Sequence, residues 1–256
     1  MLRVGCTLPR DLHGRDLHGL RFTGTDLRDV DFRRSNVNGA TFTGADLEGT
    51  RFDDADLRNA RFVGVRLRGT SFAHAAVDGI RFVGASVAQA DMRTETGRAV
   101  LRDCTGCAFH DLDLTNADLH ASRLVGANLR DAKLAGTNLR EARLVGANAA
   151  GSDLSRADLR GANLLSTNLR DARLSGVVIG DAILCGENTA AWDGGEAERR
   201  TVCTDLRGVD LHGLDLRSAR FCTHDRGEAS ATCRTVTRQE LTGDAHADLT
   251  GALAPA

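Results

Sequence analysis

The constraint that governs this chain is an apolar residue at every fifth position. In "ANLRDAKLAGTNLREARLVGAN", residues 127–148, it falls on Leu129, Leu134, Leu139 and Leu144. Five residues advance an α-helix by about 500°, so these leucines form no helical stripe. On a strand, an odd interval throws successive leucines onto opposite faces. The chain must therefore turn once per repeat.

Centred on that residue, one block runs from Leu12 through Phe22, Phe32 and Val37 to Met92, 17 repeats without a slip. A second runs from Cys104 and Phe109 through Leu114 to Leu184, again 17 repeats, and a short third block holds Leu206, Leu211, Leu216 and Phe221. Two positions before each centre stands a small residue, often alanine, as in Ala45, Ala55, Ala60, Ala117, Ala127 and Ala157. Asp or Asn commonly precedes the centre, and Gly is frequent two positions after it. All nine phenylalanines occupy centres, and both prolines, Pro9 and Pro255, fall outside the blocks. Proline cannot donate to a ladder, so its exclusion implies paired backbone amides throughout.

A longer period overlies the short one. Phe22, Phe32, Phe42, Phe52, Phe62, Phe72 and Phe82 recur every ten residues. "RFVG" at 61–64 returns at 81–84, and "RLVG" at 123–126 returns at 143–146, an interval of twenty. Four repeats per turn describe a square coil, with successive coils stacked at about the 4.8 Å strand spacing. Large centres and small alanines fill the bore together. The phenylalanines make two opposed columns, and Leu129, Leu134, Leu139 and Leu144 continue the core. Glycine relieves the corners by accepting positive φ, and Asp or Asn beside them bonds nearby backbone amides.

The tandem A-(D/N)-L-x-x pattern, clearest in "ADLRGANLLSTNLRDARL" at 157–174, resembles the pentapeptide-repeat family across residues 10–222. The resemblance implies an all-β, right-handed quadrilateral β-helix, here of about nine coils. Some members resemble duplex DNA in width and charge, bind the type II topoisomerases DNA gyrase and topoisomerase IV, and protect them from quinolones or peptide toxins.

The segments divide as an N-terminal cap at 1–9, repeats at 10–94, a short interruption at 95–103, repeats at 104–186, a polar loop at 187–203, a final coil at 204–222, and a tail at 223–256 expected to be partly disordered or weakly helical. The first interruption spans twelve residues between centres, ten plus two; the second spans twenty-two, read as twenty plus two. The polar loop carries the sole tryptophan, Trp192.

Net charge is −2, far from a nucleic-acid binder's basic excess. No apolar run is long enough to span a bilayer. "VGC" at 4–6 follows too short a segment for a signal peptide, so the chain is expected in the cytoplasm. Seven cysteines at irregular spacing are read as reduced thiols. "CTGC" at 104–107 with His110 looks like half a zinc site, but the register sends Cys104 and Cys107 inward as core filler. His13, His18 and His212 of the "DLHG" repeats have no nucleophile in a defined relation to them. No catalytic residue, cofactor or metal is expected.

One face carries the strongest candidate site. With two residues looped out at the first interruption, Arg21, Arg61, Arg81, Arg123 and Arg143 against Asp103 give that side +4, beside a column of Val63, Val83, Val125, Val145 and Leu165. The adjacent side, with Asp16, Asp56, Asp78, Asp118, Glu141, Asp158 and Asp181 against Arg58, Arg140 and Arg160, carries −4. An apolar stripe flanked by arginine suits a protein partner. Arg61, Val63, Arg81, Val83, Arg123, Val125, Arg143, Val145, Leu165 and Trp192 are the partner-binding candidates. Nucleic acid is disfavoured, because every phenylalanine lies in the core and leaves no stacking platform. A homodimer stays open. The leading reading is a scaffold for a protein partner, and the second is a DNA mimic that protects gyrase.

Overall fold

In a computed structural model, described for residues 9–88, 102–188, 200–223 and 232–255, each five-residue repeat forms one side of a square coil. The hydrogen bonding shows why the period is five. In the repeat centred on Leu27, the amide of Leu27 donates to Asp46 O of the next coil and that of Asp29 to Glu48 O. Val30 N–H closes the corner on Leu27 O, and Asp31 N–H reaches back to Arg10 O in the preceding coil. The remaining amide, Arg28 N–H, donates to Asp26 Oδ1 at 3.1 Å. Four amides are thus met by backbone and the fifth by the Asp before the centre. Asn serves equally: Arg130 N–H donates to Asn128 Oδ1 and Leu165 N–H to Asn163 Oδ1.

The corner residue, two after the centre, adopts positive φ at most of the described corners, whether it is glycine (Gly64, 60°) or not (Asn59, 59°; Glu141, 58°); after Ile179 it is the next residue, Gly180, that does so (54°). At some corners glycine leaves room for the polar side chain of the neighbouring corner: a Cβ at Gly49 would meet the Asp29 carboxylate, and one at Gly208 the Asp171 carboxylate.

The chain forms two units, Met1–Phe109 and His110–Ala256. In the first, strands β1 (Arg21–Thr23), β2 (Thr41–Thr43), β3 (Arg61–Val63), β4 (Arg81–Val83) and β5 (Cys104–Thr105) pair in parallel in that order. Phe22, Phe42, Phe62 and Phe82 stack at centroid distances of 4.8, 4.7 and 4.9 Å. Phe32, Phe52 and Phe72 form the opposed column, meeting the first largely edge to face, as in Phe42–Phe52 at 5.7 Å. All seven are buried. Phe82 pairs with Cys104 and Ser86 with Ala108, both twenty-two residues on, so two extra residues are accommodated and the register resumes, as the sequence indicated.

In the second unit a coil of the same kind has aliphatic centres. Leu129, Leu134, Leu139 and Leu144 are at most 3 % exposed. Where a hydroxyl replaces alanine at the small inward position, it can donate to a carbonyl: Thr137 to Leu134 O, Ser152 to Ala149 O, Thr167 to Leu144 O. Ser122, at the same kind of position, is buried with no partner for its hydroxyl among the described residues.

The second interruption differs from the sequence reading. Asn163 pairs with Ile183, but Asn168 pairs with Asp205 and Ile183 with Arg220, each thirty-seven residues on. The interval from Leu184 to Leu206 is therefore one side plus seventeen residues, not one full turn plus two. The physical reason is a hairpin: β6 (Ile183–Asn188) runs on past its corner and pairs antiparallel with β7 (Arg200–Cys203). The coil resumes at Thr204, whose N–H donates to Leu184 O.

The chain then makes a last coil ending in β8 (Arg220–Thr223), which pairs with β6 on one side and antiparallel with β9 (Thr232–Thr235) on the other. A π-helical turn, Glu240–Asp244, follows. Its start is fixed by reciprocal bonds, Thr237 N–H to Glu240 Oε2 and Glu240 N–H to Thr237 Oγ1, a capping box in T-R-Q-E. Val236, Leu241 and Ala245 are buried, and Leu206, Gly213 and Leu216 donate their amides to Ala245, Gly251 and Leu253. Residues 232–255 thus cover the final coil, whose edge would otherwise be open.

Truncating a ring in the aromatic stack tests this packing. Phe62→Ala should lower unfolding free energy by about 3–5 kcal/mol, measured by urea denaturation.

Candidate partner-binding face

Many of the described arginines on the coil are tied to carboxylates. In D-L-R and D-F-R repeats the Asp before the centre and the Arg after it lie two apart on an extended segment, hence on one face. The Asp already accepts the amide of that Arg, and the guanidinium folds back onto both oxygens. Arg58 donates Nε to Asp56 Oδ1 at 2.9 Å and Nη2 to Oδ2 at 2.6 Å. The same fork joins Arg28 to Asp26, Arg33 to Asp31, Arg160 to Asp158, Arg207 to Asp205 and Arg217 to Asp215. The Arg33 hydrogen bonds hold the Asp31 carboxyl at about 2, and those of Arg58 do the same for Asp56.

R-F-V and R-L-V repeats reverse the arrangement. Arginine precedes the centre and valine follows it, so the arginine has no carboxylate two residues away. In the first unit Arg21, Arg61 and Arg81 are exposed and stand in one register column, with Thr41 between Arg21 and Arg61. Among the described residues none of the three makes an ion pair. Beside them run Thr23, Thr43, Val63 and Val83, the last 40 % exposed. In the second unit Arg123 pairs in register with Arg143 and Arg143 with Asn163, beside half-buried Val125, Val145 and Leu165. Each unit therefore carries its own register column of arginine beside valine. Trp192 lies outside the described residues.

The acidic column also forms, and two of its carboxylates are ion-paired. Asp16, Asn36 and Asp56 are in register, as are Asp118, Asn138 and Asp158. Asn36 Nδ2 donates to Asp16 Oδ1 at 3.0 Å, and Asn138 Nδ2 to Asp118 Oδ1 at 2.8 Å. Asp56 and Asp158 are the carboxylates forked to Arg58 and Arg160. A depression lined by Asp11, His13, Arg15, Asp31 and Arg33 mixes acid and base, and Asp31 is already bound by Arg33.

The expectation of reduced thiols is overturned. Cys104–Cys107, Cys185–Cys203 and Cys222–Cys233 are disulfides; Cys6 lies outside the described residues. Cys104 and Cys107 are inward and buried as expected, while His110 faces out and contacts Asp111. The other two pairs sit directly opposite on neighbouring antiparallel strands. Their partnership depends on two hairpin registers that the repeat pattern does not specify.

Residues 50–87, 103–140, 113–148 and 137–176 match the family described as Pentapeptide repeats (8 copies), and residues 17–61 match Pentapeptide repeats (9 copies). Together the matches span more than half of the chain. The chain belongs to the pentapeptide-repeat family. Among solved structures it is similar to HetL, a pentapeptide-repeat protein involved in heterocyst differentiation regulation in the cyanobacterium Nostoc sp. strain PCC 7120. That likeness has 26% identity, 68% of this chain and 86% of that one covered, and a TM-score of 0.43. It is also similar to full-length QnrB1, a plasmid-mediated fluoroquinolone resistance protein, at 18% identity, with 79% and 80% covered and a TM-score of 0.29. A third is the pentapeptide-repeat protein AT2G44920 of the Arabidopsis thaliana thylakoid lumen, at 20% identity, with 67% and 66% covered and a TM-score of 0.17. No curated protein matches the sequence. Among the described residues no helix is long and apolar enough to cross a membrane.

The Asp–Arg fork predicts an acid dependence. The Asp56 carboxyl is lowered to about 2 from an ordinary 3.8, so its contribution is complete above about pH 4 and is lost as pH falls toward 2. Asp56→Asn keeps an acceptor for the Arg58 amide but loses the ion pair. It should cost under about 1 kcal/mol at pH 7, and the difference in urea midpoint from the parent should vanish near pH 2. Asp56→Ala should cost more at both pH values.

Proposed function

We propose that this protein is a non-enzymatic solenoid scaffold that binds a protein partner through its arginine–valine face. The observation that supports this reading is the contrast in arginine use. Arginines in D-L-R and D-F-R repeats are folded onto carboxylates. Arg21, Arg61 and Arg81 stand in register without one. Exposed cations in a row beside Val63 and Val83 offer ion pairing and apolar contact together, which suits an acidic protein surface. The buried phenylalanines leave no aromatic platform for nucleic-acid bases.

The second reading, protection of DNA gyrase or topoisomerase IV by DNA mimicry, needs a continuous field of free carboxylates. Here the forks neutralise Asp26, Asp31, Asp56, Asp158, Asp205 and Asp215. This favours the scaffold. Placement in the cytoplasm and homodimerisation stay proposals from sequence. The first must accommodate three disulfides, which persist in oxidising compartments and are transient in reducing ones.

Two measurements test these readings. In quantitative pull-down from the host, Arg61→Glu with Arg81→Glu should lose the partner that the parent retains, whereas Arg58→Glu, on another side, should keep it. An unchanged partner set would remove the face from consideration. In a gyrase supercoiling assay with and without a quinolone, micromolar protein should neither inhibit nor protect; protection would replace the scaffold reading with the mimic.

A further inference from the structure

The three disulfides differ in their surroundings. Cys104 and Cys107 are both 0 % exposed. The other two each join an inner strand of the sheet β7–β6–β8–β9 to one of its edge strands. On the inner strands Cys185 and Cys222 are buried; on the edges Cys203 and Cys233 are half-buried. A thiol from solution can therefore approach the edge-strand cysteines, and it cannot approach the sealed pair in the same way.

Cys233 has a particular position. It lies in β9, and three residues on the chain enters the cap through Val236, whose N–H donates to Ala219 O. Arg234, between them, places its guanidinium 4.1 Å over the Phe221 ring and forks onto Glu240 of the capping box. The cap satisfies the final coil through Leu206 N–H to Ala245 O, Gly213 N–H to Gly251 O, Leu216 N–H to Leu253 O and Leu253 N–H to Leu214 O. β9 is otherwise joined to β8 by the chain that connects Thr223 to Thr232, by side-by-side pairing and by Arg234 over the Phe221 ring. The Cys222–Cys233 bond shortens that tether to a direct link, which limits how far the cap can separate.

We propose that Cys222–Cys233 is a reversible thiol–disulfide modification site that latches the C-terminal cap onto the last coil, so that reduction by a dithiol releases the cap and exposes the coil's backbone edge. The exchange balances. One thiolate of the dithiol attacks Cys233 Sγ, and Cys222 Sγ leaves with the electron pair of the S–S bond and takes a proton. The second thiol then attacks the mixed disulfide, freeing Cys233 as a thiol and leaving the reductant as its cyclic disulfide. Two electrons and two protons pass to the protein. The edge then uncovered, with the amides of Leu206, Gly213 and Leu216 unpaired, is of the kind that accepts an added strand.

Hydrogen exchange read by mass spectrometry tests the latch on the full chain, with thiol counting to record which bonds are reduced. Dithiothreitol should speed exchange at residues 206, 213, 216, 236 and 245–253 by at least about tenfold, while amides at 129–164 keep their protection. Cys222→Ser with Cys233→Ser should exchange fast in the cap with or without dithiothreitol. Cys185→Ser with Cys203→Ser should keep the slow cap when oxidised and lose it on reduction. Cap exchange that is unchanged after Cys222–Cys233 is shown to be reduced overturns the proposal, as does a Cys222–Cys233 bond that dithiothreitol leaves intact. The wild-type arm alone decides the matter if a serine variant does not fold.

Discussion

The structure depends on how five backbone amides per side find acceptors. A square coil of five-residue sides brings the next coil's carbonyls within reach of two amides and the preceding coil's within reach of a third, and the corner closes on a fourth. The fifth points where no carbonyl arrives. Asp or Asn one residue before the centre supplies an oxygen there, as Asp26 does for Arg28 and Asn163 for Leu165. This is why Asp or Asn stands so often at that place, although Arg also occupies it, as in Arg123 and Arg143. Apolar centres and small inward residues then fill the bore, and the carbonyl of a nearby centre can accept a buried hydroxyl, as Leu134 O does for Thr137.

Surface chemistry follows from the same frame. A side chain one before the centre and another one after it project together from each coil and stack in register between coils. Asp followed by Arg closes on itself and leaves a nearly neutral surface. Arg followed by Val leaves a cation exposed beside an apolar neighbour. A two-residue choice, repeated every twenty residues, thereby decides whether a side of the solenoid is self-satisfied or available to a partner. That choice can vary without disturbing the core, because both residues point outward.

Much of this was legible in the sequence. The period of five with no proline specified a coil that turns once per repeat, and phenylalanine every ten residues specified two opposed columns, which the Phe42–Phe62 stack at 4.7 Å bears out. The first interruption was read in phase because the core pattern resumes after ten plus two residues. The second was misread because twenty plus two is arithmetically as simple as five plus seventeen, and the hairpin of β6 and β7 has no repeat signature to separate them. The disulfides were hidden for a related reason: Cys185 meets Cys203, and Cys222 meets Cys233, only through cross-strand registers set after the coil is interrupted. The Asp–Arg forks were in plain view as D-L-R, where residues two apart on an extended segment share a face. The capping box at Thr237 and Glu240 likewise stands in the sequence as a start signal for the turn that covers the last coil.

The central claim is the inter-coil ladder, and through-hydrogen-bond scalar couplings in solution observe it directly. The account predicts couplings from the amides of centres within the uninterrupted repeats to carbonyls nineteen residues later, such as Leu57 to Ala76 and Leu129 to Asn148. Couplings from those amides to carbonyls four residues earlier, the signature of a helix, would contradict it.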